Sequence, residues 1–410
     1  MIHTHSGAHA PGHSNGHRGR WAAAALALLF SVVVAFVPGC GGGVGTGGTG
    51  SFSSGPIAGL GSIVVNGVRF DDSTASIQDD EGRSSALTLK EGMVVDVYSD
   101  AVTGTTGAFK ATASTVRVNR LLRGPVTARY DAAAGTFSAL GFVVKVSQST
   151  VLDGLPSGLA ALVVGSSRVE VHGYIDTPTG QVRATRVDVS SAEAPWELRA
   201  PVTAWTAGDS TFSVGDQRFN VSGIASLPGS LAVGSDVRVQ LGSAQRSDGA
   251  WQVLSFGTLQ RQLSDDHDAK VEGRINQLGV VSNGVRRAII SGVPVDLPLS
   301  VAPLSLGLGL GSRVEVEGGL VAGVLIATQL SAKPDSQDAD EFEYHDVISS
   351  LSTSAQTFML KGRTISYLST SVRYKDGVNS AADLRDGLRV EVKCVRVGGV
   401  LTATEIKLDN

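Results

Sequence analysis

The chain has 410 residues, 42% hydrophobic and 18% charged, with a formal net charge of −4. That much apolar content excludes wholesale disorder, and the absence of a basic excess argues against nucleic-acid binding, which needs cations to neutralise phosphates. The 51 glycines do not recur every third residue and there are only two cysteines, so collagen and a disulfide framework are both excluded.

The first element is at the N-terminus. Residues 1–20 hold Arg18 and Arg20 and no acid, and an apolar run follows from Trp21 to Val37, then Pro38, Gly39 and Cys40. A basic start, an apolar stretch and small residues before a cut form the layout of a secretory signal. The run is slightly short of the ~20 residues that span a bilayer as a helix. Val37-Pro-Gly-Cys40 resembles the lipobox of bacterial lipoproteins. The resemblance implies cleavage after residue 39, acylation of Cys40, and a stable membrane anchor, since more than one acyl chain holds where one is marginal. Gly41 in place of Asp points, by the same resemblance, to the outer membrane on its periplasmic side. Removal of Arg18 and Arg20 takes the net charge from −4 to −6. Five histidines, His3, His5, His9, His13 and His17, leave with the signal. Residues 40–56, rich in Gly, Ser and Thr, read as a flexible tether.

From residue 57 onward one unit recurs. Its mark is a glycine followed by valines alternating with charged residues: Gly92-Met-Val-Val-Asp-Val97, Gly165-Ser-Ser-Arg-Val-Glu-Val171, Gly234-Ser-Asp-Val-Arg-Val239, Gly311-Ser-Arg-Val-Glu-Val316 and Gly387-Leu-Arg-Val-Glu-Val392. An Ala-Thr pair follows at 111–112, 184–185, 327–328 and 403–404, whereas the third copy reads Trp251-Gln-Val-Leu254. Repetition at one period places the units at 57–120, 121–191, 192–262, 263–333 and 334–410. In the second, the pattern predicts an opening strand over 125–130 and a hairpin over 136–146. A short Leu/Gly/Ser stretch over 155–162 and strands over 168–172 and 182–189 complete it. Period-2 alternation places valine in a small core and the charges toward water. Strands this short and few close best into small antiparallel barrels, which removes exposed edges. The expected fold is therefore all-β: five tandem OB-like barrels after a cleaved signal peptide and a Gly-rich tether.

Gly59-Leu-Gly-Ser-Ile-Val-Val-Asn-Gly-Val-Arg-Phe70 and Leu89-Lys-Glu-Gly-Met-Val-Val-Asp-Val97 resemble the bacterial family named domain of unknown function 5666. The first unit fits that pattern best, the second and fifth are looser copies, and the third and fourth looser still. The resemblance implies a secreted or lipid-anchored protein of tandem β domains and carries no activity.

The sequence offers little chemistry. Gly-x-Ser-x-Gly, Gly-Lys, His-Glu-x-x-His and Cys-x-x-Cys are all absent. His172 reads as a solvent-facing strand residue. His267 and His345 sit in acidic stretches that lack the calcium-loop pattern and read as linkers rather than metal sites. Cys394 reads as a buried, inert thiol. Trp196, Trp205 and Trp251 cluster in the third unit; they either fill its core or stack a sugar, and core filling is the preferred reading. The expectation is a non-enzymatic, lipid-anchored protein without cofactor or metal, serving as spacer and interaction surface for envelope proteins. A polysaccharide- or cation-binding module centred on the third unit or the acidic linkers is the alternative.

Overall fold

A computed structural model describes residues 50–409 apart from 80, 106–107, 192–194, 228–230, 259–260, 262, 266, 334–340 and 398. The signal sequence, Cys40 and most of the expected tether lie outside the described residues. Among those residues the only helices are four three-residue 3-10 turns, and none is long and apolar enough to cross a membrane.

The first ring of strands is β1 (Ser51–Leu60), β2 (Ile63–Val65), β3 (Val68–Asp71), β4 (Ser76–Gln78), β5 (Val94–Ser99) and β6 (Phe109–Val118). β1 pairs antiparallel with β2, β2 with β3, β5 with β6 and β5 with β1, while β3 and β4 lie parallel to β6. The parallel β3–β6 pairing closes the sheet on itself, so no strand edge is left open, as in an OB-type barrel. The next ring repeats the order with β7 (Leu122–Asp131), β8 (Thr136–Ala139), β9 (Phe142–Lys145), β10 (Val151–Asp153), β11 (Arg168–Asp176) and β12 (Gln181–Val189). These bounds contain or overlap every strand expected for the second unit, and the 155–162 stretch holds one 3-10 turn, Leu159–Ala161.

The same closure recurs three more times. β13 (Trp196–Pro201), β14 (Ala204–Thr206), β15 (Thr211–Val214), β16 (Gln217–Asn220), β17 (Asp236–Gln245) and β18 (Trp251–Thr258) form one ring, in which β13 and β14 are halves of a bent opening strand. β19 (Asp268–Ser282), β20 (Val285–Ile290), β21 (Val293–Pro298), β22 (Arg313–Val321) and β23 (Val324–Ala332) form another. The last comprises β24 (Phe342–Val347), β25 (Ser349–Ser352), β26 (Thr357–Leu360), β27 (Arg363–Ser366), β28 (Arg373–Lys375), β29 (Arg389–Val397) and β30 (Val400–Leu408). The glycine that marks each copy has φ between +76° and +86° at Gly92, Gly165, Gly234, Gly311 and Gly387. Only glycine enters that left-handed region without strain, which is why the motif begins with it.

The buried apolar side chains gather into four clusters rather than five. Residues from 121–187 and 198–253 share one continuous cluster. Three others fill the remaining rings. Small valine-rich barrels thus reach a useful core size partly by packing against each other.

The rings are also not strung out in a row. The start of β1 lies parallel to β19, pairing Ser51–Ser54 with Asp268–Val271, and its end lies parallel to β24, pairing Gly59 with Glu343 and Leu60 with Tyr344. This corrects two expectations. Residues 51–56 are not tether but the first half of a strand. Phe52 enters the core of the β19–β23 ring. The serines that suggested flexibility are buried with satisfied hydroxyls: Ser51 Oγ lies 2.6 Å from Ser99 Oγ, and Ser54 Oγ donates to Asp96 at 2.7 Å. An extended row of barrels is likewise not observed, because the described residues belong to one compact unit.

Candidate functional site

Where β1 meets β19 and β24, a cleft of about 370 Å³ opens. Ile57, Val64 and Asn66 line its first wall. β19 and β22 bring Lys270, Glu272, Arg313 and Glu315, and Lys333 follows β23. Glu341, Glu343 and Lys393 come from the last ring. The period-2 pattern explains the arrangement. In β19 and β22 the valines face their own barrel, so Lys270, Glu272, Arg313 and Glu315 must point the other way. The other way is a neighbouring barrel.

The cleft charges are paired with one another. Lys270 lies 2.7 Å from Glu317 and 3.3 Å from Glu315, Lys333 3.0 Å from Glu315, Arg313 2.5 Å from Glu272 and Lys393 3.6 Å from Glu343. Burial works against the Lys270 ammonium, but Glu315 and Glu317 outweigh it and raise its pKa. Thr185 donates its hydroxyl to the Gly92 carbonyl at 2.6 Å, and Ser149 Oγ lies 2.8 Å from Ser147 Oγ. Both lining hydroxyls are thus engaged within the protein.

Beside the cleft, Glu343, His345 and Glu391 bring three metal-competent groups together. His345 Nε2 is 2.7 Å from Glu343, while Nδ1 is 3.1 Å from Asp409 and 3.9 Å from Glu391. Glu343 and the Asp409–Glu391 pair therefore face opposite nitrogens of one ring. Each acid also has its own cation: Lys407 at 2.8 Å from Glu391, and Arg69 and Arg389 at 2.9 and 3.1 Å from Asp409. Burial tends to raise the pKa of Glu343, but His345 and the nearby lysines outweigh it and lower it. This is an ion network that fastens the end of the chain to β3. His345 is a buried residue of β24, not part of a linker.

His172 needs the same correction. It is fully buried, with Nε2 3.3 Å from Glu170 and Nδ1 3.2 Å from the Asn119 carbonyl. Glu170 in turn meets Arg120 and Arg123, which also hold Glu197. His267 lies beside Gly50, at the start of β1. Cys394 is buried in β29, and burial together with Glu91 pushes its thiol up, so it stays protonated.

The three tryptophans do not make an open stacking face. Trp251 is only 4% exposed and belongs to the shared core. Trp196 packs against it edge-to-face with centroids 5.5 Å apart, and Trp205 packs half-buried on the same core. A sugar cannot stack on a ring already covered on both faces by protein, so Trp251 is removed from the ligand candidates. Of the cleft residues, Glu341 and Glu343 lie in the acidic stretch that the sequence singles out, whereas the others were missed because each looked like an ordinary outward strand charge. The available signal was a stripe of both signs at every second position, as in Lys270, Glu272 and Arg274 or Arg313, Glu315 and Glu317.

Residues 123–188 and 347–407 match the model of the family described as Domain of unknown function (DUF5666). These matches fall on the β7–β12 ring and the last ring, whereas the sequence pattern placed the best fit in 57–120. No curated protein matches the chain.

Proposed function

We propose that this chain, two stretches of which match DUF5666, is a non-enzymatic lipoprotein of the cell envelope. It is anchored through Cys40, faces the periplasm from the outer membrane, and binds a partner protein through the charged cleft. The carrying observation is the convergence of paired acids and bases from several barrels on one cleft. Paired charges of both signs favour recognition of a polar partner surface, because complementary potentials set specificity and register. The net negative charge weighs against nucleic acid as that partner. The division into five units at 57–120, 121–191, 192–262, 263–333 and 334–410 forms part of the same proposal, supported by the recurring closure of the strands. A compact body supports the interaction role over the spacer role.

Two measurements test this reading. Mass spectrometry of the mature N-terminus is expected to find acylated Cys40; an unmodified start at Gly41 or beyond refutes the anchor. A photo-crosslinking residue in place of Lys333, activated in intact envelope, is expected to capture one defined species. The charge reversal Lys393→Glu should abolish the capture. Equal capture from Val280, which is 87% exposed at the tip of the β19–β20 hairpin, would show that the cleft has no special role.

A further inference from the structure

A second cavity, of about 470 Å³, lies between the first ring and the β19–β23 ring. Its volume falls in the range of small-molecule sites, about 300–1,000 Å³. Val68 and Val102 form its apolar wall, backed by the buried core side chains Phe52, Phe70 and Ala269, while Asp268, Lys270 and Glu317 stand at the polar rim.

Two features point to an occupant. The first is glycine usage in β22. A Cβ on Gly318 would lie 1.9 Å from the Ile326 carbonyl oxygen, so the backbone bulge there demands glycine. Gly319 is different: a Cβ on it would meet nothing within 4 Å, and its φ lies outside the left-handed region. Neither strain nor a protein neighbour requires glycine at 319, and a larger side chain would fill the slot.

The second feature is the charge of the rim. Lys270 is engaged by Glu317 and Glu315. No hydrogen bond or ion pair to the Asp268 carboxylate is found among the described residues. Burial, offset in part by His267, holds that carboxyl above its usual range. Two carboxylates against one ammonium leave the rim negative.

We propose that this slot binds an amphiphile with an unbranched apolar chain and a cationic amine head, the chain along Val68, Val102 and Gly319 and the head at Asp268. A cation at Asp268 supplies the partner the carboxylate lacks, and the open face of Gly319 leaves room for methylenes. This site goes beyond the charged cleft, and its test touches none of the cleft's own pairs.

The test is calorimetric titration of the purified protein with dodecylamine, octylamine and dodecanoate below their micelle concentrations. Dodecylamine is expected to bind at least tenfold more tightly than dodecanoate. Each methylene lost should cost about fourfold in affinity, the equivalent of burying one CH₂. Gly319→Phe should abolish binding with the fold intact by circular dichroism. Asp268→Asn, a substitution at the rim, should remove the preference for the amine while chain-length dependence persists. No saturable binding, a preference for dodecanoate, or binding untouched by both variants overturns the proposal.

Discussion

Replacing Asp96 with alanine is expected to destabilise the protein by about 3–5 kcal/mol, the usual cost of stranding one member of a buried ion pair. Asp96 stands among the valines of β5, where alternation alone would give it to water. Its side chain is instead fully buried, with Arg261 at 2.9 Å and itself only 4% exposed. Ser54 donates the other bond to the carboxylate at 2.7 Å. Burial tends to raise the Asp96 pKa, but Arg261, Arg199 and Ser54 outweigh it and lower it. Removing the carboxylate takes from the buried Arg261 guanidinium the counter-charge that lies 2.9 Å away. Replacing both partners, Asp96→Leu with Arg261→Met, is expected to be neutral or stabilising, because desolvation of the pair consumes much of its attraction. Urea unfolding of the two single variants and the double variant measures the coupling. A loss below 1 kcal/mol for Asp96→Ala would mean that water reaches Arg261.

Acid is expected to destabilise the protein through Glu170. Burial works to raise its pKa, but the hydrogen bond and charge of His172, with Arg120 and Arg123, bring it from 4.5 down to about 2. A carboxyl whose pKa is depressed on folding contributes stability that is fully present above its unfolded value. That contribution is lost as pH falls through 4.5 toward about 2. The shift corresponds to roughly 3 kcal/mol. Glu343 and Asp409, both also lowered, act in the same direction. Thermal unfolding at pH 7, 4 and 2.5 should show a steep fall for the parent protein. Glu170→Gln should be less stable at pH 7 and lose distinctly less on acidification. An identical acid loss in both proteins would place the sensitivity elsewhere.

Both predictions concern side chains whose place the sequence misassigned, and the reason is the same. Alternation in Val169-Glu-Val-His172 states which residues face the barrel's own core. It is silent on what covers the opposite face. His172 and Glu170 were given to solvent, but Asn119 and Arg120, in the connection from the first ring, and Arg123 of β7 meet them. Ser51 to Ser54 show the converse error. Their composition is that of a linker, yet a parallel neighbour strand and buried hydroxyl partners make them part of a sheet. Trp251 was the easier case, since a large aromatic in a core of valines has little else to do.

Local sequence by itself determined the strands, the turns and the repeat. Valine at every second position, a glycine at positive φ before each alternating strand, and the hairpin over 136–146 are local properties, readable from a few residues at a time. The all-β class follows from them, because strands this short must close to hide their edges. Only the tertiary structure decided how the barrels meet, which charges are buried, and where the two cavities lie. Those depend on pairings such as β1 with β19 and β24, between residues some two hundred to three hundred positions apart. Each barrel's pattern constrains its inner face alone, so the use of its outer face is fixed by the neighbour that arrives there.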